Sequence, residues 1–158
     1  MSFKYVLLLL IFLVGCSSAT KPYQEQPRQI TKVEKYNEID WQNFEPTILI
    51  KSKLQKKLIA IYMYSNNCVM CKRMESYTFA DPGVIDIMGK YFINVKVNGE
   101  EHPEIEAALN EAHIYPATIL LAPDGTYLVG INGYVSAKQY SSSLMGIIKI
   151  AKDSGVVK

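Results

Sequence analysis

The sequence predicts an α/β domain, a mixed sheet with helices on both faces. Three observations carry this. Leu58–Tyr64 is continuously apolar, β-branched or aromatic, and reads as a fully buried strand. Helical and extended stretches then alternate as far as Ala122. Finally, two extended stretches flank Pro123-Asp124-Gly125, a hairpin turn by composition, and a capped helical stretch closes the chain.

The folded part begins near Tyr36, with Trp41 and Phe44 expected on the core. Ile48–Lys57 forms a helix whose basic face (Lys51, Lys53, Lys56, Lys57) reads as solvated. After the buried strand, Ser65, Asn66 and Asn67 are good N-cap residues for a helix from Val69 to about Phe79. Asp81-Pro82 ends that helix and opens another, with Asp as cap and Pro at the first helical position. Tyr91–Val97 is strongly β. His102-Pro103 opens a helix with Ile105, Ala108, Leu109 and Ala112 on one face. Ala117–Ala122 and Tyr127–Ile131 form the hairpin. Ser136 and Gln139 make a capping box, and Tyr140, Leu144, Ile147, Ile148 and Ala151 line the apolar face of the last helix. After the initial helix, the order is β-α-β-α-β-β-α.

Chemistry concentrates at Cys68-Val69-Met70-Cys71, between the buried strand and its following helix. Two thiols at this spacing can close a small disulfide ring. At a helix N-terminus, unpaired N–H groups and the helix dipole favour a thiolate. Lys72 and Arg73 follow, so the Cys68 thiol should titrate low and attack disulfides well. Cys71, one turn in, should be more buried and resolve the mixed disulfide.

The 158 residues and 49% apolar content suit one domain plus a tail. A formal charge of +2 gives no reason to expect nucleic-acid binding. Met1–Gly15 has the pattern of an export signal: Lys4, then an apolar run from Tyr5 to Val14, then a small residue. That run is too short for a permanent membrane span. Leu13-Val14-Gly15-Cys16 resembles the lipobox of bacterial lipoproteins. The resemblance implies acylation of Cys16, cleavage before it, and stable anchoring by several acyl chains. Ser17 after the cysteine leans towards the outer rather than the inner membrane. Residues 16–35 form the lipidated N-terminus and a polar tether with Pro22 and Pro27, reaching about 25 Å. Residues 36–158 form the folded domain.

The CxxC at a strand-to-helix junction, a later Xaa-Pro before a strand, a hairpin and a terminal helix together resemble thioredoxin. The stretch from Cys68 to Pro82 (CVMCKRMESYTFADP) is more specific. It is similar to the thiol helix of the C-terminal periplasmic domain of DsbD-type thiol:disulfide interchange proteins. The resemblance implies a thioredoxin fold and protein-disulfide oxidoreductase activity through a redox-active Cys68–Cys71 disulfide. It implies a cis bond before Pro116 in Tyr115-Pro116-Ala117-Thr118, with the Tyr115 backbone pairing with a substrate chain as a short β-bridge. Three departures stand out. Asn67 replaces a Trp, Val-Met replaces Gly-Pro between the thiols, and Tyr62 replaces a buried Asp that accepts the resolving thiol's proton. Glu75 is i+4 from Cys71 and i+7 from Cys68, and is the best substitute for that Asp. A surface partnership with lysines is its other reading. Tyr62 reads as a core aromatic rather than a catalyst.

No cofactor and no metal are expected. Zinc would need four ligands, hence both His102 and His113 from distant helical contexts, and copper would draw on Met70 and Met74. The expected partners are disulfide-bearing exported proteins, a DsbD-type membrane electron donor, and a membrane through the lipid anchor. The domain is expected as a monomer facing the periplasm. Reduction of disulfides ranks first. Thiol oxidation or isomerisation and copper handling are the alternatives, and a non-enzymatic interaction module is a weaker one.

Overall fold

The computed structural model describes residues 36–157. The expected export signal, the expected lipidation at Cys16 and the expected tether to residue 35 lie outside the described residues. A five-stranded mixed sheet has the order β1-β3-β2-β4-β5. The strands are β1 (Trp41–Gln42), β2 (Leu58–Tyr64), β3 (Phe92–Asn98), β4 (Ala117–Leu121) and β5 (Tyr127–Asn132). β3 runs parallel to both β1 and β2, whereas β4 is antiparallel to β2 and β5. Central β2 is the expected apolar run. Its first six residues are buried, because helices cover both of its faces.

Side chains alternate across β2 and divide the core in two. Leu58, Ala60 and Tyr62 meet α2 (Val69–Arg73), α3 (Pro82–Tyr91) and α5 (Ala137–Asp153), through residues such as Cys71, Val84, Met88, Tyr140 and Leu144. Ile59, Ile61 and Met63 meet Ile48 of α1 (Thr47–Gln55) and, less completely, Ile105 and Leu109 of α4 (Pro103–Leu109). The expected mixed sheet with helices on both faces is the observed architecture.

Two helix starts follow local chemistry directly. The Asp81 carboxylate accepts from the Gly83 and Val84 N–H groups, with Pro82 at the first helical position. The Ser136–Gln139 capping box opens α5.

Five expectations need correction. Trp41 pairs with β3 as a short strand ahead of the first helix, so the order starts with β rather than α. Phe44 is exposed instead of joining the core. The lysines of the first helix are not all simply solvated: Lys51 donates to Gln42 Oε1, and Lys57 donates to the Gly89 carbonyl at 2.6 Å. The helix after the thiols is not uniform. It is α-helical only to Arg73 and then makes a π-helical turn, Met74–Thr78, closed by Phe79 N–H donating to Met74 O. Helix α4 stops at Leu109, and Asn110 turns the chain, so Ala112 lies outside it and both Ala108 and Ala112 are exposed.

Candidate active site

β2 delivers the chain to the cysteine pair. Its last residue, Tyr64, is followed by a turn over Ser65–Asn67, and Cys68 itself caps α2. The expected caps at Ser65–Asn67 are thus displaced by one to three residues. Cys68 has extended backbone (φ −83°, ψ 100°), and its Sγ accepts the Cys71 N–H at 2.9 Å. This is the acceptor role that Ser or Asp usually plays at that position. Cys68 and Cys71 are joined in a disulfide, with Sγ–Sγ 2.07 Å and Cα–Cα 5.2 Å. Cys71 is 2% exposed, and Cys68 is half-buried. Val69 and Met70 between them are exposed. Of the two cysteines, the more exposed is the one at the helix N-terminus, where backbone N–H groups and the helix dipole stabilise a thiolate.

Beneath the pair lies an aromatic layer. Tyr62 is fully buried and contacts Trp41, Tyr64 and Phe79 at ring distances of 5.6, 6.0 and 4.8 Å. Its hydroxyl donates to the Cys71 carbonyl at 3.4 Å. Burial, reinforced by the Glu75 carboxylate, pushes this phenol far above its ordinary range, so it stays protonated. Tyr62 stands opposite Lys96 in the β2–β3 register. The Lys96 ammonium is 2.9 Å from Glu75 Oε1 and 4.6 Å from the Tyr64 ring centre. Glu75, on the helix after the thiols, is therefore paired with a lysine from the neighbouring strand. Glu75 has the lysine partner of its surface reading, and it neighbours a phenol bonded to the Cys71 backbone. Of the two cations after the thiols, Arg73 stacks on Tyr134 at 4.8 Å and Lys72 is exposed.

The third component comes from 47 residues downstream of Cys68. The Tyr115–Pro116 bond is cis. β4 pairs with β2 so that Ala117 faces Met63, which places Pro116 at the β2 end that leads to Cys68. The Pro116 carbonyl accepts the Gly133 N–H at 2.7 Å. The Tyr115 hydroxyl donates to the Glu106 carboxylate, and His113 Nδ1 lies 3.1 Å from the same carboxylate oxygen. The Tyr115 bond, followed by His113, holds the Glu106 carboxyl below the usual carboxylate range. Burial, then Glu106, pushes the Tyr115 phenol up. His113 has a left-handed backbone (φ 49°). A Cβ at Gly99 would overlap the Tyr115 hydroxyl, so glycine leaves the room that ring occupies.

Asn98, at the end of β3, ties these loops together. Its buried amide donates to Asn66 Oδ1 and Glu101 Oε1, and its oxygen accepts the Glu100 N–H. Asn66 in turn donates to Glu100 Oε2 at 2.8 Å. The turn before Cys68 is thereby fastened to the loop after β3. Sequence reasoning missed Lys96, Asn98 and Glu106. Lys96 did leave a signal, as the one charged residue in an otherwise strand-like FINVKVN run.

The residues weighed for metal binding are dispersed. His102 faces Glu104, His113 faces Glu106, Met74 is buried in the core, and Met70 is exposed. Cavities of about 490 Å³ beside Asn110 and β5, and of about 260 Å³ beside Phe44 and Leu49, lie away from the disulfide. Cys68 lines neither of these cavities and is half-buried at the protein surface.

Comparison with known proteins agrees with this architecture. Among solved structures, a DsbH oxidoreductase aligns with TM-score 0.64 at 16% identity, covering 73% of this chain and 88% of that one. A thioredoxin from Thermus thermophilus aligns with TM-score 0.59 at 18% identity, covering 68% and 85%. The oxidised DsbD C-terminal domain of Neisseria meningitidis aligns with TM-score 0.51 at 24% identity, covering 63% and 89%. At these identities the likeness shows the thioredoxin fold. Human spermatogenesis-associated protein 20 is 24% identical over 102 residues, which are 60% of this chain but only 13% of the human protein. The profile of the thioredoxin-like DsbH family, described as a protein of unknown function (DUF255), matches residues 23–154, and the chain belongs to that family.

Proposed function

We propose that this protein is an exported, lipid-anchored thiol:disulfide oxidoreductase that reduces protein disulfides. The observation that carries the reading is the Cys68–Cys71 disulfide at the N-terminus of α2, half-buried at Cys68 and sealed at Cys71, with the cis Tyr115–Pro116 bond at the β2 end that leads to Cys68. In the dithiol form, the Cys68 thiolate attacks one sulfur of a client disulfide. A mixed disulfide forms, and one client sulfur leaves as a thiolate and is protonated. Cys71 loses its proton and attacks Cys68 Sγ, and the second client sulfur leaves. Two electrons pass to the client, and the protein becomes the disulfide. The Tyr115 backbone, ahead of Pro116, holds the client strand alongside. Glu75, directly or through water, takes the Cys71 proton.

The remaining features complete the reading. Residues 1–15 are the export signal, Cys16 carries the lipid, residues 16–35 are the tether, and residues 36–158 are the thioredoxin-like domain. The protein faces the periplasm, on the outer membrane in preference to the inner. Its clients are disulfide-bearing exported proteins, and a DsbD-type membrane protein supplies the electrons that a reductant needs in an oxidising compartment.

The test uses the full chain. Cys71→Ser should accumulate mixed disulfides with client proteins, dispersed by reductant, and Cys68→Ser should not. Equal trapping by both variants, or by neither, overturns the proposed order of attack. Equilibration with glutathione then gives the direction of electron flow. A potential well above that of the glutathione pool would make the protein an oxidant.

A further inference from the structure

Helix α1 buries only Ile48 and Ser52. On its outer side Ile50 is 61% exposed and Leu54 81%, one turn apart, with Leu49 beside them. Exposed Lys53 and Lys56 flank the pair, and the stretch from Thr47 to Lys57 holds no acidic residue. Two carboxylates are near: Glu45, just before the helix, accepts from the Thr47 hydroxyl, and Asp124 lies in the hairpin turn. Asp124 already accepts from the Thr126 N–H and feels Lys53. Large aliphatic side chains standing in water beside lysines can enter a lipid headgroup region while the ammonium groups meet anionic phosphates.

Position supports the same reading. α1 ends at the start of β2, and Cys68 follows the other end of β2, a strand of seven residues spanning about 20 Å. The patch around Leu54 and Lys56 is therefore at the pole opposite Cys68. The described chain also begins at that pole. The Tyr36 ring packs on Gly89, whose carbonyl accepts from Lys57, two residues past the end of α1. Tyr36, the first described residue, thus lies at the same end of the sheet as the patch, on the α3 side.

We infer that the outer face of α1, with Ile50, Leu54, Lys53 and Lys56, rests on an anionic phospholipid surface and turns Cys68 away from it. This rests on the anchored reading proposed above and gives the anchored domain an orientation. The lysines meet lipid phosphates while the aliphatic side chains enter the headgroup region. A docked α1 leaves Val69, Met70 and the Cys68 sulfur facing incoming clients.

The experiment labels the lysines of the full chain with a membrane-impermeant amine-acylating reagent and reads each site by mass spectrometry. On phosphatidylglycerol-containing vesicles, Lys53 and Lys56 should label about fivefold more slowly than on phosphatidylcholine vesicles. Exposed Lys138 and Lys149, on α5 across the sheet, should label equally on both. Ile50→Glu with Leu54→Glu, both at exposed positions, should restore labelling while the chain remains vesicle-bound. Uniform protection of all four lysines, or none, overturns the inference, as does a chain that does not associate with the anionic vesicles. Protection without vesicles overturns it in favour of the chain's own N-terminal segment, and protection that rises with protein concentration in favour of a second copy. The mass of the Cys16 peptide reports acylation separately. An acylated chain with unprotected Lys53 and Lys56 keeps the anchor and loses the orientation.

Discussion

Glu75→Gln separates the two roles that Glu75 can play, because their magnitudes differ. The Glu75–Lys96 pair is close, 2.9 Å, but the two side chains are 37% and 32% exposed. Unit charges at that distance attract by about 1.4 kcal/mol in bulk water. Solvent-exposed pairs usually deliver about 0.2–1 kcal/mol once side-chain ordering is counted. Loss of the carboxylate should therefore lower the unfolding midpoint by about 4 °C or less. Loss of a proton acceptor is a larger effect, typically about 10²–10⁴ in rate, or about 2.7 kcal/mol and upward. The assay is stopped-flow reaction of the reduced protein with an aromatic disulfide that releases a coloured thiolate at each of two steps. The first release reports attack by Cys68, and the second reports resolution by Cys71. The first should be nearly unchanged in Glu75→Gln, and the second about 100-fold slower near neutral pH. Lys96→Met removes the ion pair but keeps the carboxylate, and should lower the midpoint similarly with much less effect on the second step. A second step within twofold of wild type in Glu75→Gln would refute the proton-handling role and leave Glu75 as the partner of Lys96.

Three further outcomes follow from the contacts around the site. Thr78 is fully buried and donates to the Val135 carbonyl at 2.6 Å, so Thr78→Val should destabilise by about 1–3 kcal/mol in denaturant unfolding. An unchanged midpoint would mean that this carbonyl has another donor. Glu106 has a lowered folded-state pKa, so its contribution to stability is present above its unfolded value of about 4.3 and lost as pH falls through the lower folded value. The stability difference between wild type and Tyr115→Phe should accordingly be full at pH 6 and shrink as pH falls below about 4; a difference that does not vary with pH would remove Glu106 from the account. Gly99→Ala forces the Tyr115 ring from its seat, because the new Cβ overlaps the hydroxyl oxygen. It should slow reaction with a protein disulfide much more than reaction with a small aromatic disulfide. Equal slowing of both would separate Tyr115 from client positioning.

The parts of this fold that depend on neighbours in sequence were legible. The apolar run of β2 is bounded as expected, and the caps at Asp81 and Ser136 bond as their spacing implies. Two local features were not. A thiol is outside the usual cap repertoire, so Ser65–Asn67 were the expected caps although Cys68 does the capping. The π turn changes phase by part of a residue and leaves no compositional mark. Long-range features were less visible. Which strand neighbours Tyr62 decides that Lys96 meets Glu75, and no pattern in either segment encodes that pairing. The Asn98 cluster likewise joins residues 32 positions apart. The α4 stripe failed for a different reason: Asn110 ends the helix before a third turn can carry Ala112 to the sheet.

The Cys68 sulfur holds the first turn of α2 and also carries the bond that is made and broken. These two duties are thermodynamically one. A thiolate accepts the Cys71 N–H more strongly than a disulfide sulfur does, because the hydrogen bond becomes charge-assisted. Reduction therefore tightens the start of this helix, and every 1.4 kcal/mol gained there raises the midpoint potential by about 30 mV. Fraying that turn by substitution at Val69 or Met70 would pull the potential the other way without touching either cysteine. Electron affinity here is set partly by how well a helix begins.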